Sequence, residues 1–176
     1  MSSAKNNMGR VGGFAAHAEA GGGHSVPTLH LSVQYAAKPE EVPTRAQLRR
    51  WVKAALRQDA EIALRIVGEE EGRALNRDYR GKDYATNVLT FVYDDDFPGA
   101  ERPLAGDIVL CAPVVAREAL QQEKPVEAHY AHLTVHGVLH LQGYDHENDE
   151  QARQMEALET RIVTKLGYAD PYGGDE

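Results

Sequence analysis

Leu29-His30-Leu31-Ser32-Val33-Gln34-Tyr35 alternates apolar and polar side chains, the period-two pattern of a strand with one face in a core. Pro39 and Pro43 punctuate the loop that follows. Thr44 stands where an N-cap belongs, and a helix from there to about Gln58 gathers Leu48, Trp51, Val52, Ala55 and Leu56 on one face. A second strand is expected over residues 61–67, closed by Gly68. Residues 69–79 then read as a helix whose leading glutamates favour the positive end of its dipole. The β-branched and aromatic run at 88–93 predicts a third strand, 94–102 an exposed loop, and 107–111 a fourth strand. Three helices follow, over 112–122, about 126–142 and about 148–166. Gly167 occupies a left-handed C-cap position, with Pro171 beyond it. Strands and helices alternate early and helices cluster late. The pattern predicts an α+β fold, a single domain with a mixed sheet of about four strands covered by helices.

Composition sets the outer limits. A chain of 176 residues, 42% hydrophobic, suits one domain with its own core. Residues 1–27 are rich in Gly, Ala and Ser, include Gly21-Gly22-Gly23, and read as a disordered tail with no secretory signal. The domain is expected over 28–172, with a short C-terminal tail at 173–176. No apolar run approaches the roughly 18 residues that a membrane span needs. A lone cysteine, Cys111, lies in an apolar strand and reads as a buried small hydrophobe. Without an export signal or a disulfide, a cytoplasmic protein is expected. The net charge of −8 favours solubility and argues against a general polyanion binder, so any nucleic acid has to meet a local basic patch.

The stretch from His136 to His146, HGVLHLQGYDH, carries the chemistry. On a helix, His136 and His140 share a face about 6 Å apart, within reach of one ion. A third ligand on the same straight helix cannot close a compact site, so the chain has to turn back. Gly143 permits that turn, and His146 returns as the third nitrogen. Three imidazoles leave one tetrahedral position open, which marks a catalytic zinc rather than a structural one. Nickel, copper or iron also accept such ligands. The remaining histidines fit less well. His17 and His24 lie in the tail, and His30 begins a strand. His132 stands about 12 Å from His140 along the axis, too far to share an ion. It and neighbouring His129 read as ordinary helix residues, with a supporting or substrate contact open to His132. The spacing matches the metzincin protease pattern except at its second position, where glutamate serves as general base and this chain has Gly137. Glycine cannot take a proton from a metal-bound water, which argues against proteolysis by that route. Asp145, before the third ligand, either orients a histidine or makes a turn hydrogen bond.

The histidine stretch resembles the signature of the YbeY family of single-strand-specific, metal-dependent endoribonucleases. The likeness continues in Leu75-Asn76-Arg77-Asp78-Tyr79-Arg80-Gly81-Lys82-Asp83, in Thr86-Asn87-Val88-Leu89-Thr90-Phe91 and in Gly106-Asp107-Ile108. It extends to Met155-Glu156-Ala157-Leu158-Glu159, Leu166-Gly167-Tyr168 and Asp170-Pro171-Tyr172, and covers roughly Leu29 to Tyr172. Thr90 and Val92 depart from the serine and proline common there. The resemblance implies cleavage of single-stranded RNA in 3′-end maturation of small-subunit ribosomal RNA, and quality control of late-stage ribosomes. It implies one zinc ion on His136, His140 and His146, with Arg80 and His136 in the catalytic set and Arg77 and Lys82 against substrate. The implied partners are single-stranded RNA, an rRNA precursor and the ribosome or its small subunit, with no membrane and no DNA.

An arginine suits phosphoryl chemistry, because its planar, permanently charged fork clamps a phosphate and stabilises charge developing at phosphorus. The attacking oxygen is either water or the RNA's own 2′-OH. Arg73, Arg77, Arg80 and Lys82 form a basic cluster assigned to substrate by the resemblance. Arg45, Arg49, Arg50, Lys53 and Arg57 on the first helix read instead as a solvated face balanced by carboxylates. Two other classes of function stay open: a ribosome-associated RNA-binding protein with a mainly structural zinc, and a metallohydrolase of a non-RNA substrate. Three evident ligands count against the first, since structural zinc is normally closed by four. The missing glutamate counts against a peptidase.

Overall fold

The Thr44 hydroxyl oxygen accepts a hydrogen bond from the Gln47 backbone N–H, and the Gln47 side-chain oxygen accepts one from the Thr44 backbone N–H, a capping box that starts helix α1 (Arg45–Ala55). This helix joins two parallel strands, β1 (Leu29–Tyr35) and β2 (Ala60–Val67). Helix α2 (Glu69–Arg80) follows, then β3 (Val88–Val92) and β4 (Leu104–Cys111). Helices α3 (Ala112–Gln121), α4 (Val126–Leu141) and α5 (Asp149–Lys165) complete the order. The computed structural model describes residues 26–37, 41–93 and 102–173. The expected N-terminal tail, apart from its last two residues, and nearly all of the 94–102 loop lie outside them.

The sheet runs β1-β2-β4-β3, with β3 alone antiparallel, against β4. It is a mixed sheet in an α+β domain. Strand β4 begins three residues before the expected start, because Leu104 pairs with Ala60 and Gly106 with Ile62 along β2. Ladder hydrogen bonding extends a strand beyond its apolar stretch, and periodicity does not register that.

Ile62, Leu64, Ile66, Ile108 and Leu110 point to one face of the sheet and pack with Leu48 and Trp51 of α1 and Val138 and Leu139 of α4. Val67, Leu89, Val109 and Cys111 form a smaller cluster on the other face, with Leu75 of α2. Cys111 is buried there, as expected, and burial pushes its thiol pKa up. Helix α4 is enclosed over most of its circumference, so its apolar residues do not form a single stripe. Gln142, just past its end, is buried. Its amide donates to the Ala55 carbonyl at 2.8 Å and accepts from the Arg57 backbone at 2.8 Å. These bonds fix the end of α4 against the end of α1. Among the described residues, no helix is long and apolar enough to cross a membrane.

Candidate metal centre

The last turn of α4 closes as a Schellman motif. The Tyr144 N–H bonds the Leu139 carbonyl and the Gly143 N–H bonds the His140 carbonyl, both at 3.1 Å. This path needs a positive φ at residue 143, and Gly143 supplies it at 104°. The turn swings the Tyr144 carbonyl back over the helix, where it accepts a hydrogen bond from His140 Nδ1 at 2.8 Å. It also returns the chain, so that His146 joins the two helix histidines. The ring centroids lie 6.0 Å apart for His136 and His140, 5.7 Å for His136 and His146, and 6.0 Å for His140 and His146.

Imidazoles on one tetrahedral zinc would have centroids roughly 5 Å apart, given metal–nitrogen bonds of about 2.0–2.1 Å. The observed triangle is slightly wider than that, and among the described residues no group of three or more His, Cys, Asp or Glu has the geometry to hold a metal ion as it stands. The donor chemistry nevertheless fits. His140 is 5% exposed, and burial pushes its pKa down to about 4 against the opposing pull of the Tyr144 carbonyl, so the ring is neutral. A neutral ring whose Nδ1–H is given to a carbonyl presents a lone pair at Nε2. His136 is arranged alike, with Nδ1 2.5 Å from a carboxylate oxygen of Glu159. Hydrogen bonding thus sets the tautomers of both rings, as it generally does for metal-binding histidines. His146 is exposed, and the cluster opens to solvent on that side.

Glu159 was part of a recognised stretch but not of the predicted site. It lies wholly buried on α5 and also accepts from His132 Nε2 at 2.9 Å and from the Tyr172 hydroxyl. Burial alone would raise its pKa. The hydrogen bonds from His132, His136 and the Tyr172 hydroxyl prevail and hold it at about 2. His132 therefore supports the carboxylate instead of remaining an ordinary helix residue. His129 is buried and bonded to Glu118 at 2.8 Å. Asp145 accepts from the His146 backbone at 2.8 Å, the turn role rather than the histidine-orienting one. Gly137 faces the sheet: a Cβ there would lie 3.4 Å from Ile108 and Thr90, so a side chain at this position would start out against the sheet.

Arg80 ends α2, half-buried, before the left-handed Gly81. Its Nε is enclosed without a hydrogen-bond partner. Among the described residues, no hydrogen bond or ring contact joins it to the three histidines. The chain runs on from Arg80 into β3, whose Thr90 lies beside Gly137. Arg77 pairs with Asp78 at 3.4 Å and Asp83 at 4.0 Å, and Arg73 binds Asp83 at 2.8 Å, which offsets much of this cluster's charge. Lys82 is exposed. On α1, Arg45, Arg49 and Arg50 bond the carbonyls of Val33, Leu29 and Leu166. These three arginines bond backbone carbonyls, where a solvated face balanced by carboxylates was expected.

A family model described as Endoribonuclease YbeY matches residues 33–167. The chain belongs to the YbeY family. Among YbeY proteins, one named Endoribonuclease YbeY from Nitrosospira multiformis is 66% identical over 156 residues, spanning 83% of this chain and 82% of the relative. A second with that name, from Nitrosomonas europaea, is 62% identical over 144 residues, spanning 82% and 85%. The solution structure of TM1509 from Thermotoga maritima superposes with a TM-score of 0.54 at 27% identity, covering 77% of this chain and 88% of that one.

Proposed function

We propose that this protein is a single-strand-specific, metal-dependent endoribonuclease acting in 3′-end maturation of small-subunit rRNA and in quality control of late-stage ribosomes. Family membership supports the RNA chemistry. The observation that carries the site is the pair of helix histidines with their Nδ1 atoms bonded to Glu159 and Tyr144, leaving both Nε2 atoms for a ligand. His136, His140 and His146 would hold one zinc ion, which supplies Lewis acidity and a lowered pKa for an oxygen nucleophile when bound.

The remaining tasks fall to side chains. Arg80 receives the scissile phosphate, since an enclosed guanidinium nitrogen without a protein acceptor is suited to an anionic ligand. Lys82 adds attraction for the backbone, and Arg77 does so as far as its two aspartates allow. Tyr79 is 64% exposed, set edge-on to Phe91, and Tyr84 is 55% exposed; both flank the arginine in sequence and offer faces for unpaired bases. Such stacking favours single strands, because paired bases keep their faces covered.

The test is cleavage of an rRNA precursor by purified protein whose zinc content is measured alongside. One equivalent of zinc, with cleavage abolished in His140→Ala and Arg80→Ala, is the expected result. Both variants cutting like the parent would overturn the assignment.

A further inference from the structure

Helix α5 buries Met155, Leu158 and Val163 against the core, and Glu159 lies among them with no exposed surface. An ionised carboxylate is costly in such a place unless donors surround it. Three do. His136 Nδ1 binds one oxygen at 2.5 Å, while His132 Nε2 at 2.9 Å and the Tyr172 hydroxyl bind the other. The His132 and Tyr172 rings also meet edge to face, with centroids 5.2 Å apart. Tyr172 belongs to the turn after α5, which is fixed by Asp170: its carboxylate accepts from the Tyr172 backbone at 2.9 Å and the Thr160 hydroxyl at 3.1 Å.

An apolar residue at 159 would fill the space without this network. The carboxylate does one thing that an apolar group cannot: it accepts the His136 Nδ1 proton, fixing which nitrogen keeps its lone pair and where the ring faces. Tyr172 and His132 in turn bind the other oxygen and leave the carboxylate a single orientation. His132 spends its Nε2 on this bond, so it acts on the site through Glu159.

We infer that Glu159 is a positioning residue for His136, and that the C-terminal turn, through Tyr172, is an integral part of the metal centre. The inference rests on the metal reading proposed above.

The experiment uses the full chain, freed of metal by chelator dialysis, as parent, Glu159→Gln and Tyr172→Phe. Zinc affinity is measured by competition with a chromogenic chelator, and the site's geometry by the visible spectrum on cobalt(II) titration. Apo far-ultraviolet circular dichroism and melting report the fold. The parent is expected to bind one equivalent. Glu159→Gln should bind about 10- to 100-fold more weakly with an altered cobalt spectrum, and Tyr172→Phe several-fold more weakly. A merely structural role would lower apo melting and leave affinity and spectrum alone, and that result overturns the inference. A loss in Glu159→Gln with none in Tyr172→Phe removes the C-terminal turn from it. Should Glu159→Gln fail to fold, Tyr172→Phe decides, since Tyr172 is 46% exposed and its ring is retained. A parent that binds no metal defeats the metal reading itself, an outcome distinct from equal binding by all three proteins.

Discussion

His140 and Tyr144 are joined by a hydrogen bond from an imidazole Nδ1 to a carbonyl four residues later, 2.8 Å long. Within a continuous helix that carbonyl would point away from the preceding turns, towards the C-terminus. It faces His140 because the chain reverses at Gly143. One bond therefore links the end of a helix to the tautomer of His140.

Gly143 is accordingly a position where a methyl group is costly. Gly143→Ala forces an L side chain into a φ of 104° and should lower stability by about 1–2 kcal/mol, read by urea denaturation. Zinc affinity should fall in the same variant, because His146 and the Tyr144 carbonyl both hang from this turn. Full stability with parent affinity would refute the role given to the turn.

Arg80 and His140 separate the two halves of the chemistry. His140→Ala should lose both zinc and cleavage. Arg80→Ala should keep its zinc and lose cleavage by about 10²–10³-fold, the scale for removing one preorganised charge donor. Arg80→Lys should rescue little, since a point charge does not reproduce the fork. Metal analysis and RNA cleavage on the same preparations check both.

Gln142 ties α4 to α1 through two backbone partners, its own side chain buried. Gln142→Ala leaves the Ala55 carbonyl and the Arg57 N–H without this amide and should cost about 1–3 kcal/mol by chemical denaturation. Gln142→Leu, closer in volume, should recover little of that loss, because the unmet backbone groups remain.

Metal removal should act through linkage. A ligand that binds only the folded chain stabilises it by about 2.7 kcal/mol at a hundredfold excess over its Kd. Chelated protein should thus melt lower than zinc-loaded protein, and His140→Ala should melt at one temperature with or without zinc. Melting curves that coincide for the parent would contradict the site.

Tyr79 tests the proposed RNA surface independently of the metal. Tyr79→Ala should weaken binding of single-stranded RNA about tenfold, within the 1–3 kcal/mol typical of a stacked base, and leave duplex binding unchanged. Equal losses on both forms would point to electrostatics alone.

The parts legible in the sequence are those governed by short-range rules. His136 and His140 share a face through helical period, Gly143 ends the helix through its backbone freedom, and Thr44 caps α1 through its hydroxyl. The alternation in Leu29–Tyr35 likewise marks a strand whichever neighbour it pairs with. Local geometry fixes such features before the chain folds. Glu159 gave a weaker signal: a charge within the apolar stripe of Met155, Leu158 and Val163. Its partner stands 23 residues away on another helix. Only the packing of α5 against α4 brings a carboxylate onto His136, and only the return of the chain places Tyr172 on the other oxygen. The order β1-β2-β4-β3 belongs to the same class, since strand pairing is chosen by contacts distant in sequence. Spacing alone groups His136, His140 and His146. Which nitrogen His136 leaves free is decided by Glu159, a group it meets only when the core closes.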